Sequence, residues 1–246
     1  MAVTNVAVTT STVLQAERFG HSNFSTSRND NTAFLVLDDP DVTTRMVFMY
    51  KNNLFSAIQY NWTAHCLLFD TSAISTTITG LNLKLFGRTV STTNEFGGSS
   101  DGGGDAIILE GTFGTTVATG DMDSFTGYTS EWDDNDVTEY SSAFGPAAGS
   151  WDTSAYNVIA LNSDAVTAAN AGTLKCYIGN KTVWYDNDNL FTSNPEYHSI
   201  NFRADKDGIN PPILEVTHAD PVSIPISKSI TIESALNIKG GKLKVN

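Results

Sequence analysis

"NPPILEVTHA", Asn210 to Ala219, reads as a strand with a hard boundary in front of it. Two prolines lack backbone N–H donors, so they fit the mouth of a strand and not its middle. Behind them apolar and polar residues alternate, the period of an extended chain with one buried face. A chain closing on such a strand is expected to stop there, yet 27 residues follow Ala219. The same grammar recurs upstream in "TAFLVLD", "RMVFMY", "AHCLLFD", "TGLNLKLFG", "AIILEGTF", "YNVIAL", "TLKCYIG" and "HSINFRA". Clusters of Gly, Asn and Asp separate these runs, and many short strands with turn signals between them indicate a sandwich or jelly roll. The predicted fold is therefore all-β: an antiparallel jelly-roll β-sandwich with an extended C-terminal β arm and hairpin. A single short helix is expected at "NSDAVTAANAG", Asn162 to Gly172, with Ser163 as the N-cap and glycine as the stop.

The residues after the closing strand differ in kind, which divides the chain into a body, 1–219, and an arm, 220–246. In the arm Val222, Ile224, Ile226, Ile230, Ile232, Leu236 and Ile238 all fall on even positions, giving one apolar face. Gly240-Gly241 then reads as a two-residue hairpin loop that sets Ile238 opposite Leu243 and Leu236 opposite Val245. Charge changes at the same place. Residues 221–246 carry a net +3, from Lys228, Lys239, Lys242 and Lys244 against Glu233, while the other 220 residues carry −16. A basic, one-faced, extended segment on an acidic body is poorly explained as part of that body's core. It is expected to pair with another chain or a neighbouring copy.

The 246 residues suit one large all-β domain or two small ones, and 40% apolar against 17% charged residues allows a true core. A net charge of −13 repels phosphate backbones, so nucleic acid is not an expected partner. "MAVTNVAVTTSTVLQ" has no basic n-region, continuous apolar stretch or small-residue cleavage site, so no Sec-type signal peptide is expected. No run approaches the roughly 20 apolar residues that span a bilayer, so membrane insertion is not expected either. Cys66 and Cys176 lie inside apolar strand-like runs and read as free buried thiols. The glycosylation sequons at Asn23, Asn61 and Asn180 carry little weight without a secretion signal.

Motifs that could carry chemistry are few. "GSSDG", Gly98 to Gly102, matches the G-x-S-x-G nucleophile elbow in letters, but that elbow needs a strand before the serine and a helix after it. Here a glycine-rich loop runs into a strand, so Ser100 reads as a loop residue. His21, His65, His198 and His218 stand singly, without metal-ligand spacing. "EWDDNDVTE" gathers Asp133, Asp134 and Asp136, and "YDNDN" holds Asp186 and Asp188. Neither matches a spaced D-x-D-x-D-G loop, so solvated acidic turns are expected; the alternative is calcium on Asp133, Asp134 and Asp136. No other cofactor is implied. Trp62, Trp132, Trp151 and Trp184 are candidates for glycan stacking, although in a domain of this size such residues more often pack a core or its rim. Trp132 and Trp151 each precede an aspartate, a pattern that looks like a recurring device for leading the chain into a strand.

Taken in order, "NFSTSRNDNTAFLVLDD", "HCLLFDTSAISTTITGLNLKLFG", "YTSEWDDNDVTEY", "SWDTSAYNVIAL" and "SINFRADKDGINPPILEVTHA" resemble the successive segments of DNRLRE-type jelly-roll domains. That β-sandwich family occurs in carbohydrate-associated and surface proteins, and the likeness covers about residues 20–219. "HCLLFD" lacks the basic residue often found in that strand of the family, and residues 221–246 fall outside its pattern. "ITIESALNIKGGKLKVN" is similar instead to the alternating strands and glycine turns of bacteriophage fibre and virion-attachment segments. Together the two likenesses imply a non-enzymatic structural protein of a phage particle, a capsid decoration or cement protein or a fibre or tail component. It would be assembled in the host cytoplasm, docked through its arm to other virion proteins or to its own copies as a homo-oligomer. The alternative is a carbohydrate-binding module or adhesin recognising surface glycans.

Overall fold

The computed structural model describes residues 1–19, 33, 35–38, 44–54, 57–93, 105–128, 136–145, 148, 151–181, 185 and 196–220. Strands form at each of the apolar runs read before Ala219. The described strands are β1 (Ala2–Phe19), β2 (Leu35–Asp38), β3 (Thr44–Leu54), β4 (Ala57–Asp70), β5 (Ile78–Thr93), β6 (Ala106–Glu110), β7 (Tyr156–Leu161), β8 (Thr173–Asn180), β9 (Glu196–Phe202) and β10 (Ile213–His218). Every pairing among them is antiparallel, and the chain is all-β. Each of the nine expected strands is present, and a tenth, β1, was not expected from the sequence. Its residues are small and rich in threonine, and a register shift between Val8 and Thr10 changes its phase halfway along.

The strands run in the order β2-β1-β10-β5-β9-β3-β4-β8-β6, with β7 added on β5 and a β1–β4 pairing that closes the path on itself. Two long strands make the closure possible. In β1, residues 2–7 pair with β10 and residues from Val8 to Phe19 pair with β4. In β5, residues 78–84 pair with β10 and residues 87–93 with β9. Each therefore passes from one sheet to the other, and the sheet curls around a shared core.

That core draws Leu81, Leu83, Leu85, Ile159, Leu161, Leu214 and Val216 from the first sheet and Leu67, Phe69, Ile108, Cys176 and Ile178 from the second. Where β4, β8 and β6 lie, the second sheet is also covered on its other face. Ala64, Cys66 and Leu68 of β4, Ile107 and Leu109 of β6 and Tyr177 of β8 pack against Phe113, Val117, Met122 and Phe125. Phe125 lies 4.8 Å from Tyr177, whose hydroxyl donates to the Met122 carbonyl at 2.5 Å. This explains why "HCLLF" and "AIIL" are continuous apolar runs: strands buried on both faces need no polar side.

The helix, α1 (Ser163–Asn170), forms where it was expected but is capped one residue earlier. Asn162, not Ser163, accepts from the backbone N–H of Asp164 and Ala165 at 3.1 and 3.2 Å. Gly172 ends it at φ +99°, a conformation that favours glycine. Asn170 then exchanges two hydrogen bonds with the Ile78 backbone, pinning the helix to the start of β5.

β10 confirms the reading of its sequence. Leu214, Val216 and His218 face inward, and Pro211 and Pro212 stand before the first paired residue. It is not an edge, because β1 lies on one side and β5 on the other. The arm, 221–246, lies outside the described residues, as do all nine of its proposed interface residues from Val222 to Val245.

Candidate functional site

The point where the body hands over to the arm is built from β1 and β10. β10 ends beside the beginning of β1, in the register Ala2↔His218. His218 is 8% exposed and reaches three elements at once. Its Nδ1 lies 2.9 Å from the Ala219 carbonyl, which can only accept, so Nδ1 carries the proton. Thr76 Oγ1 is 2.8 Å from the same nitrogen, and Thr4 Oγ1 is 3.0 Å from Nε2. The ring thereby ties β1, the turn before β5 and the chain's exit together. Ala219 N–H donates to the Thr77 carbonyl at 2.9 Å. The Met1 ammonium meets the Asp220 carboxylate at 2.7 Å, an exposed pair that adds little energy but fixes the exit beside β1. A cleft of ≈ 350 Å³ opens alongside, lined by Thr4, Asn5, Val6, Ile74, Thr76 and His218.

A second groove, ≈ 720 Å³, follows β1 past its register shift and is lined by Thr9, Thr10, Asp70, Ser72, Thr115 and Lys175, with Leu68 among them. Thr9 and Thr10 already donate to the carbonyls of Leu68 and Thr115, and Lys175 donates to that of Phe113. The groove carries hydroxyls, a carboxylate and an ammonium on a mostly apolar floor, and no aromatic residue is among its described walls.

Next to Thr10 on β1, Ser11 forms a buried pair with His65, Oγ to Nε2 at 2.8 Å. The single hydroxyl proton of Ser11 goes to the Ala204 carbonyl at 2.5 Å, so His65 must donate to Ser11 from Nε2–H. A serine nucleophile needs the opposite arrangement, a bare imidazole nitrogen accepting from its hydroxyl. Complete burial, with the Phe202 ring 4.8 Å away, lowers the His65 pKa to about 3, and Nδ1 has no partner among the described residues. The pair is a neutral fixture linking β1, β4 and the segment after β9.

Of the tryptophans, Trp151 is half-buried and stacked on Phe144, with ring centroids 6.0 Å apart. Its turn presses on β5: a Cβ at Gly87 would stand 1.8 Å from the Asp152 carbonyl oxygen and 2.9 Å from the Trp151 Nε1. Asp152 accepts from Ser154 N–H at 2.7 Å, and its own N–H donates to Asn157 of β7 at 2.8 Å. Trp151-Asp152 therefore leads the chain into β7, as its sequence pattern suggests, and the ring is packing and not an open platform. Trp62 lies in β4 without a described side chain, while Trp132 and Trp184 fall outside the described residues. Asp133, Asp134, Ser100, Asp186 and Asp188 fall outside them too, and Asp136 is exposed. Among the described residues no three acidic, histidine or cysteine side chains converge as a metal site, and no helix is long and apolar enough to cross a membrane. Cys66 and Cys176 are free and buried, on opposite faces of the second sheet, and burial pushes both thiol pKa values up.

His65 and His218 fit the default for single histidines in strands, that of satisfied structural groups, but their partners Ser11 and Thr4 are not legible in the sequence because both lie on β1. A run of threonine and small residues gives no sign of the strand that brings these partners together. None of the protein-family models matches this chain, and a search of curated proteins returns no match.

Proposed function

We propose that this chain is a non-enzymatic structural component of a larger particle: a self-contained β body fastened by its C-terminal arm. The observation that carries the reading is the place of β10. The last strand before the arm sits between β1 and β5, and the main core is drawn from residues up to Val216. The body's principal layers are thus accounted for before residue 221, and the basic, one-faced segment that follows is left for a partner. Burial of its Val, Ile and Leu side chains at about 1.5–3 kcal/mol each can offset the cost of ordering an extended segment. The likeness of the arm to phage-fibre segments makes that particle a bacteriophage virion, the body being a jelly roll of the DNRLRE type. The test is assembly of a chain lacking residues 221–246. It should remain folded and fail to incorporate; normal incorporation would refute the anchoring role.

A second reading, recognition of surface glycans, draws on the hydroxyl-lined groove along β1. A glycan array probed with and without chelator tests it. Saccharide-dependent binding that Lys175→Ala removes supports the groove, and an array without signal dismisses it.

A further inference from the structure

The first sheet runs β1, β10, β5, β7, so β7 is one of its outer members. The register Phe86↔Tyr156, with the Gly87 N–H donating to the Ala155 carbonyl at 3.0 Å, fixes the hydrogen-bonding phase of the β5–β7 ladder. Gly87 and Ala155 are a bonded pair, so Asn157, Ile159 and Leu161 turn their backbone groups towards β5. Tyr156, Val158 and Ala160 turn theirs away. The next residue of the outward series, Asn162, donates to the Tyr140 carbonyl at 2.8 Å, as this phase requires. The N–H and C=O of Tyr156, Val158 and Ala160 have no backbone partner among the described residues.

Natural edges are guarded by charge, proline, bulges or a covering segment. β6 has such a cover, since Thr138, Tyr140 and Phe144 bond to the backbone of Glu110, Ile108 and Ala106. "YNVIAL" has no charge, no proline and no register shift, and Val158 is 59% exposed on its outer face. An unguarded edge of this length matches an extended segment that must pair with something.

We propose that the free edge of β7 accepts the C-terminal arm of a second copy of this chain, which adds to it as a further strand. This rests on reading residues 221–246 as an assembly arm. The 26 residues of that segment place apolar side chains on even positions from Val222 to Ile238, interrupted at Lys228 and Ser234, and carry +3, against −16 on the rest of the chain. Asp152 and Asp164, both exposed, flank the two ends of β7. The arm's root is at the end of β10, where Ala219 N–H donates to the Thr77 carbonyl and Asp220 meets the Met1 ammonium, while β7 lies beyond β5. Each copy leaves its arm at the end of β10 and offers its acceptor along the outer edge of β7, two different surfaces. The association is head-to-tail, giving rings or open chains.

Val158→Pro tests the edge selectively, because it removes an outward N–H and leaves the bonds to β5 in place. Sedimentation velocity over a concentration series should show full-length chain associating and full-length Val158→Pro at least tenfold weaker, with an unchanged far-ultraviolet circular dichroism spectrum. Ala160→Pro, on the same outward series, replaces it if the first variant does not fold. Full-length Ile230→Asp/Ile232→Asp keeps the edge and spoils the arm. Each variant alone should associate at least tenfold more weakly than the unaltered chain, and the two mixed should form a one-to-one dimer, arm from one and edge from the other. Wild-type-like association of both proline variants would overturn the acceptor site, as would a wild-type chain monomeric at every concentration. If the arm variant alone loses association, the arm reading stands without this acceptor; if it too associates normally, both fall.

Discussion

β8 and β7 are neighbours in the core and opposites in their surroundings. β8 has β4 on one side and β6 on the other, and both of its faces are covered by apolar residues. β7 has β5 on one side, helps build the core with Ile159 and Leu161, and presents Val158 and a free backbone edge to the other. The difference is where stability and association reside. Where β4, β8 and β6 are covered on both faces the packing secures the body, and β7 keeps an exposed face and an outer edge because its inner face alone contributes to the core.

Substitutions should separate the two regions by size of effect. Phe69→Ala, in the strand beside β8, removes a fully buried ring and should cost about 3–5 kcal/mol in denaturant unfolding. A loss below roughly 1 kcal/mol would mean that the second sheet is not packed as described. Tyr177→Phe deletes the hydroxyl that serves the buried Met122 carbonyl and should cost about 1–3 kcal/mol.

His65 predicts a pH dependence of defined sign. Its pKa is lowered from 6.5 to about 3 by burial, so the unfolded chain binds a proton that the folded chain refuses between those values. Its contribution is fully present above pH 6.5 and is lost as pH falls towards 3, at about 1.4 kcal/mol per pH unit across that window. Unfolding free energy measured from pH 7 to 4 should show that slope, and His65→Gln should flatten it. Val158→Thr, on the exposed face of β7, should change stability by no more than about 0.5 kcal/mol by the same unfolding measurement. A large loss there would show that β7 is covered by some part of the body.

The sequence announces these regions unequally. Pro211-Pro212 and the alternation after them give β10 its start, direction and inward residues, because proline and period-2 burial act locally. The continuous run in "AHCLLFD" marks a strand but hides its two-sided burial, which depends on Phe113 and Phe125 folding back from later in the chain. β1 is the clearest loss. Its small residues and threonines serve two sheets in turn, so no single face dominates and periodicity fades. Asn162 displaced Ser163 as the helix cap because its side chain reaches two N–H groups, while its own amide also donates to Glu139. As for the candidate site, the arm's pattern is fully visible in residues 221–246. The acceptor edge is visible only after the β5–β7 register is known, since free backbone groups leave no mark on side-chain chemistry.

The central claim is that the fold is complete at β10 and the arm belongs to assembly. Differential scanning calorimetry of the chain ending at Asp220, beside the full chain at low concentration, tests it most directly. The account predicts one cooperative transition in each, with midpoints within about 4 °C, the shift produced by roughly 1 kcal/mol in a domain of this size. A truncated chain without a cooperative transition, or melting far below the full chain, would contradict it and make residues 221–246 part of the body's own core.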